Sequence, residues 1–294
     1  MKKPAFRQSQ TLSCSIPPWP DGHKAAVSLT FDLDADVGAS WRGMDGYLTT
    51  LSEARFGVGR GLERLLRVMR EHGVSSTFFV PGEIAHLHPQ EVRAVAAEGH
   101  EIGHHGYLHL AIDRVREAEQ RDEMYRGLEA LQKIGVRPGG YRCPGFELTG
   151  ITLELLLSEG FRYDSSCMGD DRPYLLEYSG QRLLEIPIHW SLDDWVFFRF
   201  CTSNIYNGGG TMSDPEACLN TWKREVMNAA AEGGHVTITM HPEVMGRGYR
   251  SHLLDEFIGW LRNDAKVWIA NCEQLADHLG EQSVRRAGAS VHDD

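Results

Sequence analysis

Ala25-Ala26-Val27-Ser28-Leu29-Thr30-Phe31-Asp32-Leu33-Asp34 is an apolar run that ends on two carboxylates. A run of this kind reads as a buried strand with polar groups at its carboxyl end. Three later segments repeat the form. His100-Glu101-Ile102-Gly103 leads into His104-His105-Gly106-Tyr107-Leu108-His109, and Gly139-Gly140-Tyr141 into Arg142-Cys143-Pro144-Gly145. The third, His235-Val236-Thr237-Ile238-Thr239-Met240, leads into His241-Pro242-Glu243. Further strands are expected over 75–82, 162–166, 183–190 and 266–272. Helices are expected over 58–73 (ending at Gly73), 89–99, 112–135, 151–160, about 214–232, and 250–263. Short strands separated by helices predict βαβ units and a parallel sheet, and seven or eight units favour a barrel over an open sheet. The carboxyl ends of such strands collect on one face, so segments roughly 200 residues apart can share a pocket.

Working outward, residues 1–22 read as an irregular arm, 23–282 as one folded domain and 283–294 as a frayed polar tail. The stretch 36–57 is poorly periodic and reads as a loop over the mouth of the site. A formal charge of −11 over 294 residues, with no basic run to offset it, argues against nucleic acid as a partner. No apolar stretch approaches the roughly 18 residues needed to span a bilayer, so no membrane partner is expected. Lys2 and Lys3 are followed by a polar stretch containing Pro17, Pro18 and Pro20, not by the apolar core of a signal peptide. The six cysteines, at 14, 143, 167, 201, 218 and 272, form no Cys-x-x-Cys pair. Reduced thiols in a cytoplasmic protein are the simplest reading.

Asp32 and Asp34 are two apart on a strand, so both carboxylates can face one pocket. As an isolated pair they would more often be solvated aspartates at a strand end. In an apolar strand, however, two close carboxylates resist joint ionisation unless a cation lies beside them. His105 and His109 are four apart, the spacing that puts two imidazoles on one side of a helical turn. With Asp34 they make a set of three donors suited to a catalytic divalent metal such as zinc. His104 leaves the choice of first histidine open. Arg142 can orient Asp32 through a forked hydrogen bond. His241, at a strand's carboxyl end, can act as a general acid, with Asp193 and Asp194 raising its pKa. Trp190, Trp195 and Phe146 can wall the pocket or simply belong to the core.

In this order and context, the segments resemble the polysaccharide deacetylase family over roughly residues 25–280. The resemblance implies a single distorted (β/α)7-type barrel that hydrolyses amide C–N bonds with a divalent metal, zinc preferred. It implies Asp34, His105 and His109 as ligands, Asp32 as the base, Arg142 as its partner, Asp194 from the family's Asp-Trp motif, and His241 as the closing histidine. Leu33 separates aspartates that are adjacent in the secreted sugar deacetylases, and Gly106 replaces the usual Ser or Thr. With Pro144-Gly145-Phe146-Glu147 and Tyr163-Asp164-Ser165-Ser166, these departures look more like an intracellular branch of allantoinase-type, cyclic-imide-hydrolysing and peptidoglycan-deacetylase-like proteins. The expected substrate is a small cyclic amide, imide or ureide acted on in the cytoplasm by a chain that can form a homo-oligomer. An N-acetylated wall sugar is the rival substrate. A thiol hydrolase built on Cys143 and a non-catalytic binding protein are rivals of other classes.

Overall fold

The computed structural model describes residues 16–37, 47–198 and 212–289, with the backbone alone for 281–289. Strand β1 (Ala26–Asp32) is buried along its whole length and divides its side chains by the two-residue period of a strand. Val27, Leu29, Phe31 and Leu33 face outward into the main apolar core. Ser28, Thr30, Asp32 and Asp34 are buried polar residues on the other side. That polar side lines the barrel interior.

The order of elements is a βα alternation. After β1 come α1 (Leu48–Phe56), a π-turn (Gly57–Gly61), α2 (Leu62–His72), β2 (Thr77–Val80), α3 (Gly82–Leu87), α4 (Pro89–Ala97) and β3 (Glu101–His104). Then follow α5 (Glu117–Lys133), β4 (Gly140–Tyr141), α6 (Gly150–Glu159), β5 (Tyr163–Asp164), and a hairpin of β6 (Tyr174–Tyr178) and β7 (Gln181–Glu185). The chain ends with α7 (Asp194–Phe198), α8 (Pro215–Glu232), β8 (His235–Met240), α9 (Pro242–Met245), α10 (Gly248–Trp260), β9 (Trp268–Ile269) and α11 (Cys272–Ala289).

The sheet runs β6-β7-β5-β4-β3-β2-β1-β8, with β9 also on β1. Neighbours are parallel except β6, which is antiparallel to β7 at the outer edge. The seven strands β1 to β5, β7 and β8 form the distorted barrel. Its gap between β7 and β8 is crossed by a lone parallel bridge from Asp193 to Thr239. Helices α2, α8 and α10 cover the outer face of β1 through Leu65, Met69, Trp222, Val226, Phe257 and Ile258.

The interior is filled in layers. At the amino-terminal end, the buried Glu101 carboxylate accepts from Thr77 Oγ1 (2.7 Å), Tyr163 OH (2.7 Å) and the Glu273 amide (2.8 Å). The Cys272 amide donates to Thr77 Oγ1 at 2.8 Å. The first turn of α11 thus lays its free N–H groups on this polar plug, as a helix amino terminus does for an anion. Burial pushes Glu101 up to about 6 against these hydrogen bonds. Phe79 and Tyr163 form the next layer, and the site lies above them.

Several expectations differ from the structure. Residues 48–56 of the expected 36–57 loop form α1, and 38–46 lie outside the described residues. Leu-Thr-Thr-Leu-Ser-Glu-Ala-Arg-Phe buries only Ala54, so no apolar stripe marks it as a helix. α11 continues to Ala289 where a frayed tail is expected from 283. The strand expected over 183–190 is displaced to Gln181–Glu185, because it pairs with the unforeseen β6 through a turn at Ser179-Gly180, both left-handed.

Glycines let α9 approach the π-turn. A Cβ on Gly61 would lie 2.4 Å from Pro242 O and 2.9 Å from Phe56 O. Because Pro242 follows His241, this contact sets the height of a site residue. Gly61→Ala is expected to cost about 1–3 kcal/mol in urea unfolding. Gly248→Ala, where nothing lies within 4 Å, should stay within about 0.5 kcal/mol.

Candidate metal centre and catalytic groups

Asp34, His105 and His109 converge at the carboxyl ends of β1 and β3, each offering one ligand atom, all within 4.8 Å of one another. His105 Nε2 lies 3.5 Å from Asp34 Oδ1, and His109 Nε2 lies 3.3 Å from Asp34 Oδ2. The two imidazoles do not share a helical turn. They are joined by an irregular loop in which Gly106 (φ +71°) and His109 (φ +56°) are both left-handed. That loop brings the ring centroids to 5.0 Å. Glu123 of α5 holds it open, accepting from the amides of Tyr107 (2.9 Å) and Leu108 (2.9 Å).

His104 points the other way. Its Nδ1 accepts from the Gly106 amide at 3.0 Å, which leaves Nε2 as the donor to Met124 O at 3.0 Å. Both nitrogens are used, and burial pulls its pKa down to about 4. Gly127 makes room for the ring, since a Cβ there would lie 2.4 Å from Nε2.

The set suits a divalent cation by its own chemistry. His105 Nδ1 lies 2.7 Å from Arg142 O, a group that only accepts, so Nδ1 carries the proton and Nε2 presents its lone pair. Burial lowers the pKa of His105 and keeps it neutral, outweighing the nearby Asp32 and Asp34 charges. Asp34 Oδ1 is buried without a hydrogen-bond donor. Burial alone would raise Asp34, but His109, then His105 and His241, hold it well below the usual carboxylate range. An ionised carboxylate facing the Nε2 atoms of two imidazoles is a donor set for a metal.

Asp32 sits beside this set with a different set of partners. Its Oδ1 accepts from Arg142 Nη1 at 2.8 Å, and its Oδ2 is 3.7 Å from His105 Nε2. Arg142 is wholly buried. Nη1 also reaches Thr30 Oγ1 (2.9 Å), Nε donates to Ser165 O (3.0 Å), and Nη2 to Ser165 Oγ (2.9 Å). Its guanidinium carbon lies 4.2 Å from the Phe79 ring centroid.

Across the site, His241 Nδ1 lies 2.8 Å from Asp194 Oδ1, while the His241 amide donates to Asp194 Oδ2 at 3.0 Å. Nε2 is turned inward, 4.0 Å from Asp34 Oδ2. Burial opposes protonation of His241, but Asp194, with Asp193 and Asp34, raises its pKa well above the usual histidine range. Trp195 packs on the ring at 5.0 Å, and its amide donates to Asp193 Oδ1 at 2.8 Å. Phe146, at a left-handed φ of +68°, meets Trp190 at 4.7 Å where the loops after β4 and β7 come together.

All seven sequence-derived candidates therefore gather at one end of the barrel. Cys143 does not suit a nucleophile: it is fully buried, its thiol donates to Glu147 O at 3.4 Å, and burial raises its pKa well above the usual thiol range. Sequence reading missed Thr30, Ser165 and Glu123. Glu123 had a legible signal, because it stands on the buried stripe of α5 with Gln120, Gly127 and Ala130. Ser165 lies in the Tyr163–Ser166 segment quoted above, but nothing there marked its role, because it acts through a backbone carbonyl as much as through its hydroxyl.

A polysaccharide deacetylase family model matches residues 20–163. The chain is 26% identical to a peptidoglycan deacetylase of Helicobacter pylori, over 88% of this chain and 98% of that one. A solved Mycobacterium smegmatis protein assigned to the polysaccharide deacetylases is 37% identical and superposes with a TM-score of 0.85, covering 95% and 96% of the two chains. An allantoinase structure (23% identity, TM-score 0.76, 90% and 94% covered) shares the fold. Among the described residues, no helix is long and apolar enough to cross a membrane.

Elemental analysis of the purified protein is expected to find about one divalent ion per chain. His109→Ala and Asp34→Asn should lose most of it. Stoichiometric metal in the double variant His105→Ala/His109→Ala would refute the assignment.

Proposed function

The chain belongs to the polysaccharide deacetylase family, hydrolases of amide carbon–nitrogen bonds other than peptide bonds, and from that premise we propose a mechanism and a substrate class. The observation that carries the reading is the division of labour around Asp34. One aspartate faces two imidazole lone pairs, the other is gripped by a buried arginine, and a charged histidine stands opposite.

Asp34, His105 and His109 would hold the metal, for which we propose zinc. When bound, it supplies Lewis-acid polarisation of the scissile carbonyl and acidifies water. Asp32, kept in place by Arg142 Nη1, takes the proton of the attacking water. Thr30 and Ser165 take three further hydrogen bonds from the guanidinium, so Arg142 cannot swing away without leaving buried polar groups unpaired. His241 gives its Nε2 proton to the departing nitrogen, which without it is a poor leaving group. Asp194 holds the Nδ1 side of the ring and keeps it charged until that step.

The substrate we propose is a compact cyclic amide, imide or ureide. Asp32, Asp34, His105, His109 and His241 are all less than one tenth exposed, which suits a small ring that can be enclosed better than a polymer lying in an open groove. The Phe146–Trp190 pair gives such a ring an aromatic face. A second reading, N-deacetylation of an N-acetylated sugar, draws support from the name of the Helicobacter pylori relative.

Steady-state assays on ring amides, imides, ureides and chitooligosaccharides, run side by side, are expected to show turnover of a ring compound. Turnover of the oligosaccharide alone would reverse the preference. Asp32→Asn should retain the metal and lose about three or more orders of magnitude in kcat. Loss of its metal instead would mean that the two aspartates have exchanged roles. The general acid must be protonated, so kcat/KM should fall as pH rises through the raised pKa of His241. Asp194→Asn removes the charge that holds that proton and should move this alkaline limb to lower pH. An unmoved limb would assign it to another group.

A further inference from the structure

Tyr163-Asp164-Ser165-Ser166-Cys167 contributes Ser165 to the Arg142 grip, and beneath it lies a second pair of carboxyls that the reaction does not use. Asp164 and Glu185 are register partners on the parallel strands β5 and β7, and both are fully buried. Asp164 accepts from Ser166 Oγ (2.8 Å) and the Ser166 amide (3.1 Å). Glu185 Oε1 accepts from the amides of Ser166 (3.0 Å) and Cys167 (2.9 Å). Ser166 Oγ in turn accepts from the Cys143 amide at 2.8 Å, tying this loop to the one after β4. Among the described residues no donor reaches Glu185 Oε2, which is left buried. The two carboxyls, both fully buried, offer oxygens within 4.8 Å of each other, and two carboxylates held so close out of water resist joint ionisation unless a proton or a cation lies between them.

We propose that Asp164 and Glu185 share one proton and act as a positioning pair, locking the Ser165–Cys167 loop so that Ser165 aims Arg142 at Asp32. The groups facing the pair are Arg142, Tyr141, Cys143, Cys167 and Tyr174. Burial keeps the two thiols and the two phenols protonated, so they add no charge. The single negative charge of the pair is set against the guanidinium of Arg142. Cys167 Sγ lies within 4.8 Å of a ligand atom on each carboxyl, which makes a metal the competing occupant. Donors already on three of the four carboxylate oxygens, amides on two and the Ser166 hydroxyl on the third, favour the proton.

The shared proton is tested without substrate. At pH 8 the wild type should show an infrared carboxylic-acid carbonyl band that is absent from both Glu185→Gln and Asp164→Asn. A band that persists in both variants overturns the pair. So does a second bound equivalent in the zinc-loaded protein that disappears in Cys167→Ala.

The positioning role rests on the Arg142–Asp32 reading above and is tested on the fastest substrate of the assay panel. Glu185→Leu removes the acceptor from two amides and should lower kcat by about 100-fold, with KM within about twofold and the metal retained. Glu185→Gln keeps an acceptor oxygen and supplies a permanent donor to Asp164, and should restore kcat to within about threefold of wild type. In an Asp32→Asn background, Glu185→Leu should cost nothing further, because its effect passes through Asp32. An undiminished loss in that background, or a Gln variant as impaired as Leu, would sink the positioning role while leaving the infrared result intact. If Glu185→Leu does not fold, the Gln variant and the infrared band decide alone.

Discussion

A buried guanidinium has to be paired on every side, and Arg142 imposes that requirement on the whole upper barrel. Removing a charge of that size from water costs several kcal/mol unless good hydrogen bonds and a counter-charge replace the lost hydration. Here the replacements come from three strands or their ends: Thr30 and Asp32 on β1, the Phe79 face on β2, and Ser165 after β5, while Arg142 itself follows β4. The same residue's carbonyl selects the tautomer of His105. One side chain and its own backbone therefore set the direction of Asp32 and the lone pair of a metal-ligand candidate. Neither can shift without disturbing the other.

Asp32 at the end of β1 and Asp34 two residues beyond it point the same way but have unlike surroundings, and that contrast underlies the different roles proposed for them. Asp34 looks toward imidazoles and keeps an oxygen without a donor, whereas Asp32 is held by a fixed cation. Opposite them, Asp194 binds both the ring and the amide of His241, so the histidine cannot rotate away from the charge that keeps it protonated. On the proposed reading, acid and base are set apart by their local partners, since both are buried. This is the general way in which one pocket runs acid and base steps at a single pH.

Legibility in the sequence followed the strength of local periodicity. β1 and β8, long and wholly buried, could be read directly, as could the helix end at Gly73. The helix over 48–56 carries no apolar stripe and was unreadable. The β6 strand could not be seen because its partner β7 is half-exposed and its hairpin turn is the ordinary-looking Ser179-Gly180. The four-residue spacing of His105 and His109 singled out the pair that the structure sets against Asp34, for an insufficient reason. A left-handed loop held by Glu123, not a helical turn, brings them together.

The sequence by itself determined the βα order, the face on which polar strand ends gather, and the residue types available there. It could do so because burial and two-residue alternation are local properties, written in neighbouring side chains. The tertiary structure decided which of two adjacent histidines faces Asp34, which aspartate Arg142 grips, and that Cys143 is inert. It also placed Ser165, Asp164 and Glu185 beneath the arginine. Those outcomes depend on strand register and on hydrogen bonds between residues tens to hundreds of positions apart, and no local pattern encodes them.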